Sequence, residues 1–128
     1  MDTKGLPYPK PERRATTKRR RQRKERAVVG TVREQCVDRD GYCRLQGVER
    51  FPPCRGRSEW AHFGEHKRFK TRGMAPEDRH KRDASLMMCD GHHDLYDANE
   101  LQIEALTERG TDGPLRFSHG GQVYEEVR

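Results

Sequence analysis

The stretch Cys89-Asp90-Gly91-His92-His93-Asp94-Leu95-Tyr96-Asp97 constrains this chain more than any other, because it holds two kinds of metal-ligand chemistry in one short segment. Cys89 and His92 have the Cys-x2-His spacing of half a tetrahedral zinc site, and such a site needs a second pair of ligands from elsewhere. The chain offers Cys43 and Cys54, with ten residues between them. If a helix runs through the segment, His93 and Asp97 fall at i and i+4 on one face, where a divalent cation can bridge them.

Composition makes a metal useful. The chain has 128 residues, enough for one domain with a tail, and its 30% hydrophobic against 38% charged content leaves little apolar material for a core. Metal is then expected to supply part of the stability. No apolar run approaches the length of a membrane span, and the N-terminus is polar from the start, so a cytoplasmic protein is expected. Four cysteines associated with histidine at zinc spacing read as thiolate ligands in a reducing compartment rather than as two disulfides. Cys36 stands apart from the pattern and is expected to be a small buried side chain on a helix.

The upstream run Trp60-Ala61-His62-Phe63 sharpens the pattern. Together with Arg39-Asp40-Gly41-Tyr42-Cys43, Glu59-Trp60-Ala61-His62, Ser85-Leu86-Met87-Met88-Cys89 and the segment above, the chain resembles the HNH endonucleases of the small, free-standing phage and bacterial type. The resemblance covers about Val32 to Ile103. It implies a small α+β domain with a ββα-metal (His-Me finger) core, stapled by a structural zinc on Cys43, Cys54, Cys89 and His92. It makes His62 the general base, an imidazole whose ordinary pKa of ~6.5 suits deprotonation of water. His93 and Asp97 become ligands of a catalytic cation, Mg²⁺ or Mn²⁺, with Ni²⁺ or Zn²⁺ as alternatives. DNA is the implied substrate, and the implied settings are phage packaging machinery, restriction or mobile elements, in a bacterial or phage-infected cell.

Two positions depart from the family pattern. Ala61 stands where a further ligand usually precedes the base, and Glu59, His66 or water are the candidates to replace it. The middle asparagine of the family name is absent. Ser85 or Asp83 is the nearest group able to orient the base.

Charge is uneven along the chain. Residues 1–26 carry eleven Lys and Arg against three acids, a balance of +8 that leaves −2 on the remainder of a +6 chain. This segment reads as a disordered or helical arm for a nucleic-acid backbone, with Arg19, Arg20, Arg21, Arg23 and Lys24 as its contacts. Pro7, Pro9 and Pro11 predict an extended start, and the stretch from Thr16 permits a helix. Residues 27–128 form the nuclease-like domain, with its core at about 32–106.

The remaining elements follow from patterning. Ala27 to Asp38 reads as an amphipathic helix, and Tyr42 to Leu45 with Glu59 to Phe63 as the two strands of a hairpin. His66 to Arg82 reads as a long basic loop in which Lys67, Arg68, Lys70 and Arg72 grip phosphates. Leu101 to Leu106 is a strand or short helix, and Phe117 to Tyr124 a hairpin around Gly120-Gly121 with His119 exposed beside the turn.

Overall fold

The computed structural model describes the backbone of residues 9–64 and 74–127, and side chains from residue 17 onward. Lys67, Arg68, Lys70, Arg72 and His66 lie outside the described residues.

One long helix, α1 (Pro9–Asp40), precedes everything else. The expected extended start does not hold at Pro9 and Pro11, which open α1. Proline is tolerated in a first helical turn because the N–H groups there have no intrahelical acceptor. The expected helix of 27–38 is the C-terminal part of the same α1, and the boundary drawn at residue 26 falls inside it. Among the described residues of α1, this C-terminal part carries the apolar stripe: Val32 and Cys36 are buried against Met87, with Val28 and Trp60 packed beside them. Cys36 is fully buried, as its isolation from the ligand pattern implied.

The first sheet is β1 (Ser58–His62) paired antiparallel with β2 (Ser85–Cys89), in the register Ser58 to Cys89 and His62 to Ser85. Here the structure corrects the expected hairpin, since the partner of β1 is β2 and not Tyr42 to Leu45. The latter residues form turns. Cys43, Arg44 and Leu45 are buried in succession, so the run has the density of a strand without its alternation. Every residue of β2 is buried, one face lying under α1 and the other in the main core, which erases the period-two signal.

Beyond β1, the stretch expected to be a loop contains a short helix, α2 (Pro76–Arg79), and a 3₁₀ turn begins at its last residue, Arg82–Ala84. Helix α3 (Asp90–Asp97) follows β2 directly. Its end is a Schellman cap: Asn99 takes φ 61°, its N–H bonds the Tyr96 carbonyl at 3.1 Å, and the Glu100 N–H bonds Leu95 at 2.8 Å.

The second sheet is antiparallel in the order β3 (Gln102–Ala105), β4 (Leu115–His119), β5 (Gln122–Glu125). Gly120 and Gly121, at φ 57° and 81°, turn the β4–β5 hairpin as their pairing implied. His119 is half-buried, not exposed, and bonds the Glu100 carbonyl at 2.8 Å. Leu115 and Phe117 of β4 join Leu45, Phe51, Leu86, Met88 and Leu101 in the main core.

A buried charge network ties α1 to both sheets. Asp40, whose side chain is wholly buried, accepts the Met87 N–H at 3.0 Å and pairs with Arg39 at 2.7 Å and Arg44 at 3.3 Å. Arg44, equally buried, also binds Glu126 at 2.8 Å beyond β5. Each ion has several partners, which buried charge requires. Among the described residues, no helix is long and apolar enough to cross a membrane.

Candidate functional site

Cys43, Cys54, Cys89 and His92 converge as their spacing implied, their ligand atoms all within 4.8 Å of one another. Cys43 comes from the turn after α1, Cys54 from the loop before β1, and Cys89 and His92 from the junction of β2 and α3. His92 Nδ1 lies 3.1 Å from the sulfur of Cys89, 3.4 Å from Cys43 and 3.8 Å from Cys54. Its other ring nitrogen, Nε2, donates to the carbonyl of Pro52 at 2.7 Å. That fixes the tautomer in which Nδ1 presents a lone pair to the cysteines, the form a metal needs.

The thiols are tuned unequally. Cys89 is the N-cap of α3, and although burial opposes its charge, N–H bonds from His92 and Arg55, each 3.4 Å from the sulfur, lower its pKa. Burial raises Cys43. Burial, then the nearby Cys43 and Cys89, pushes Cys54 up to about 12. Three thiolates so close repel one another without a cation between them, and with one they and the imidazole match the tetrahedral Cys₃His set. The cluster can therefore hold a metal such as zinc, and it would clamp α1, β1, β2 and α3 together.

A second set of groups lies on the face of β1 toward α3. His93 and Asp97 stand one turn apart on α3, with His93 Nε2 3.6 Å from Asp97 Oδ2. Across from them Glu59 Oε1 receives His93 Nδ1 at 2.8 Å. Of the replacements considered for the ligand absent at Ala61, Glu59 meets His93, and His66 lies outside the described residues. Ala61 itself is buried in the main core on that strand face. The phenol of Tyr96 reaches the backbone of Gly64, so the C-terminal end of α3 lies against the His62 end of β1.

His62 belongs to the opposite strand face, with Trp60, whose ring is 4.6 Å away. Neither group expected to orient it does so through the bonds seen here. Ser85 Oγ donates to the Lys81 carbonyl at 2.7 Å and meets the Cys36 sulfur at 3.3 Å, while Asp83 lines a cleft with Arg39 and Arg109. Instead His62 Nε2 meets Nδ1 of His80 at 2.9 Å, and His80 Nε2 meets Glu25 of α1 at 3.0 Å. Sequence reasoning missed both His80 and Glu25. A lone histidine in a polar stretch gives no local signal, but an acid inside the basic run Lys18 to Arg26 was an available hint.

Arg19, Arg20, Arg21, Arg23 and Lys24 are all exposed on α1. Lys24 also pairs with Glu77 of α2 at 3.2 Å, which braces the basic helix against the domain. No protein-family model matches this sequence, and neither a curated protein nor a solved structure matches it.

Proposed function

We propose that the protein is a metal-dependent DNA endonuclease of the HNH type, with a ββα-metal core made of β1, β2 and α3. The observation that carries this reading is the group at the strand–helix junction in which His93 Nε2 and Asp97 Oδ2, 3.6 Å apart, form the pair a cation can bridge, while Glu59 holds the other ring nitrogen, Nδ1, at 2.8 Å. Such a mixed oxygen and nitrogen set suits Mg²⁺ or Mn²⁺, and also Ni²⁺ or Zn²⁺. A divalent cation bound there supplies charge neutralisation at the scissile phosphate and at the leaving 3′ oxygen. The chain's own residues do the rest. His62, at the end of β1 beside the end of α3, takes the proton of the attacking water. The exposed arginines of α1 hold the phosphate backbone without reading sequence. The Cys₃His cluster, loaded with zinc, keeps strand and helix in register. By resemblance, such an enzyme serves phage DNA processing, and packaging machinery is the partner to test.

The experiment is plasmid cleavage by wild type, His62→Ala and His93→Ala, each with EDTA, Mg²⁺ and Mn²⁺, with zinc content measured in parallel. Metal-dependent nicking lost in both variants, with zinc retained, is the expected result. No cleavage by the wild type in any ion would sink the reading.

One observation favours a second reading, a zinc-stapled DNA-binding module without hydrolysis. Ala61 offers no ligand and its methyl is buried in the main core, so the position before His62 contributes nothing to a cation. DNA binding with no cleavage in any ion is the result that distinguishes it.

A further inference from the structure

On the face of β1 opposite the carboxylates, a hydrogen-bond chain runs from α1 to His62. Glu25 Oε1 meets Nε2 of His80 at 3.0 Å, and Nδ1 of His80 meets Nε2 of His62 at 2.9 Å. A neutral imidazole has one N–H and one lone pair, so the two links are not independent. An ionised carboxylate only accepts. Glu25 is held below the usual carboxylate range, first by the hydrogen bond it accepts from His80, which outweighs its burial, with the Arg79 guanidinium 3.7 Å away adding to the effect. His80 therefore carries its proton on Nε2 and offers a lone pair at Nδ1. His62 must then donate from Nε2, and the lone pair of its own ring lies on Nδ1.

We propose that Glu25 acts through His80 as a positioning pair for His62, fixing the Nε2-protonated tautomer so that Nδ1 receives the proton of the attacking water. This rests on the endonuclease reading above. In the step, water's proton passes to Nδ1 and its oxygen forms a bond to phosphorus. The bond from phosphorus to the 3′ oxygen breaks, and that oxygen leaves with the electron pair and is protonated from solvent. The imidazolium left behind keeps its Nε2–H on His80, with the negative charge of Glu25 at the far end of the chain to stabilise it. Packing holds the chain still. His80 is 5% exposed, and the Trp60 ring lies 5.5 Å from it and 4.6 Å from His62.

The position of Glu25 makes the role testable. It is an acid within the basic run of α1, where its charge opposes DNA binding, so an electrostatic role alone predicts that neutralising it tightens binding and leaves turnover unchanged.

The experiment uses the zinc-loaded full chain, ¹⁵N-labelled, with long-range ¹H–¹⁵N correlation to read each ring's tautomer above the imidazole titration range. Cleavage kinetics on a short duplex with Mn²⁺ accompany it. Wild type should show His62 and His80 both protonated on Nε2. Glu25→Ala, which keeps a good helix former in α1, should mix the tautomers of both rings and lower kcat by roughly 10- to 100-fold, with KM unchanged or lower. Glu25→Gln, whose amide oxygen still accepts, should keep the tautomers and most of kcat. His62 protonated on Nδ1 in the wild type, or tautomers and kcat unmoved in Glu25→Ala, overturns the proposal. Wild type with the expected tautomers but no cleavage leaves the chain of bonds standing and removes its role in proton transfer, which is then the failure of the endonuclease reading itself.

Discussion

The carbonyl of Pro52 accepts the Nε2–H of His92 at 2.7 Å, and that contact decides which nitrogen of the ring faces Cys43, Cys54 and Cys89. Because the acceptor is backbone, the orientation depends on the path of the loop from Phe51 to Cys54 rather than on any one side chain. Structural zinc in a small domain contributes about 10 kcal/mol or more, on the order of the whole stability of the domain. Native mass spectrometry should find about one zinc per chain. Stripping it with EDTA should abolish the cooperative thermal transition in circular dichroism, and His92→Ala should behave like the stripped protein. A stripped chain that still melts cooperatively at the same temperature would remove zinc from the account of the fold.

What the sequence made legible, and what it did not, divides along local and non-local lines. The Cys-x2-His knuckle and the His93/Asp97 pair are properties of a few consecutive residues, and both were readable. So was the Gly120-Gly121 turn. The partner of β1 was not, because Ser85 to Cys89 is buried on both faces and carries no alternation, whereas Cys43-Arg44-Leu45 is buried for the sake of the metal cluster and the Arg44 network. The link from His62 to His80 and Glu25 joins three elements far apart in the chain, and no residue spacing encodes it.

Gly56 is the point where the ligand loop passes over α3. At φ 83° it already favours glycine, and a Cβ there would meet the Asp90 side chain at 2.4 to 2.8 Å. Asp90 cannot simply move aside, since its Oδ2 accepts the Arg57 N–H at 3.0 Å. Gly120, at φ 57°, has open space around it. Gly120→Ala should therefore cost only backbone strain, about 1 kcal/mol. Gly56→Ala should add a steric clash for about 2 to 4 kcal/mol in all and weaken zinc binding as well. Urea titration of the two variants, with a zinc competition assay, measures the difference.

Asp40 is the hinge of the buried charge network, and its loss takes one of the two carboxylates from buried Arg44, leaving Glu126, and leaves the Met87 N–H without its acceptor. Breaking a buried pair by removing one partner costs about 3–5 kcal/mol. Asp40→Ala should therefore unfold at markedly lower urea than wild type, and Arg116→Ala, which breaks only exposed pairs to Glu104 and Glu125, should change stability by less than about 1 kcal/mol. Equal effects of the two would mean that the buried network contributes no more than a surface pair.

Asp112 sets an acid limit on the fold. Burial raises its pKa, but the guanidinium groups of Arg82 and Arg39, at 3.0 and 2.8 Å, outweigh that and hold it below the usual carboxylate range. A folded pKa below the unfolded one contributes stability that is fully present above the unfolded value near 3.8 and is lost as pH falls through the folded value. Asp112→Asn should destabilise the protein by about 1–2 kcal/mol at neutral pH, and the gap to wild type should close in strong acid. A gap that stays constant with pH would show that the carboxylate's charge is not what stabilises the contact.

The exposed arginines of α1 give the DNA reading a quantitative form. Arg19, Arg20, Arg21 and Arg23 make no bond to the domain among the described residues, so replacing all four with Gln should leave zinc content and melting unchanged. Each phosphate contact contributes about 0.9 to the slope of log K against log salt on duplex DNA. If all four side chains lie on phosphates, the variant's slope should be shallower by about 3 to 4, with affinity falling in parallel on every duplex sequence tried. Fluorescence anisotropy with a labelled duplex across a salt series reads this directly. An unchanged slope would mean that the charge of α1 faces something other than the DNA backbone.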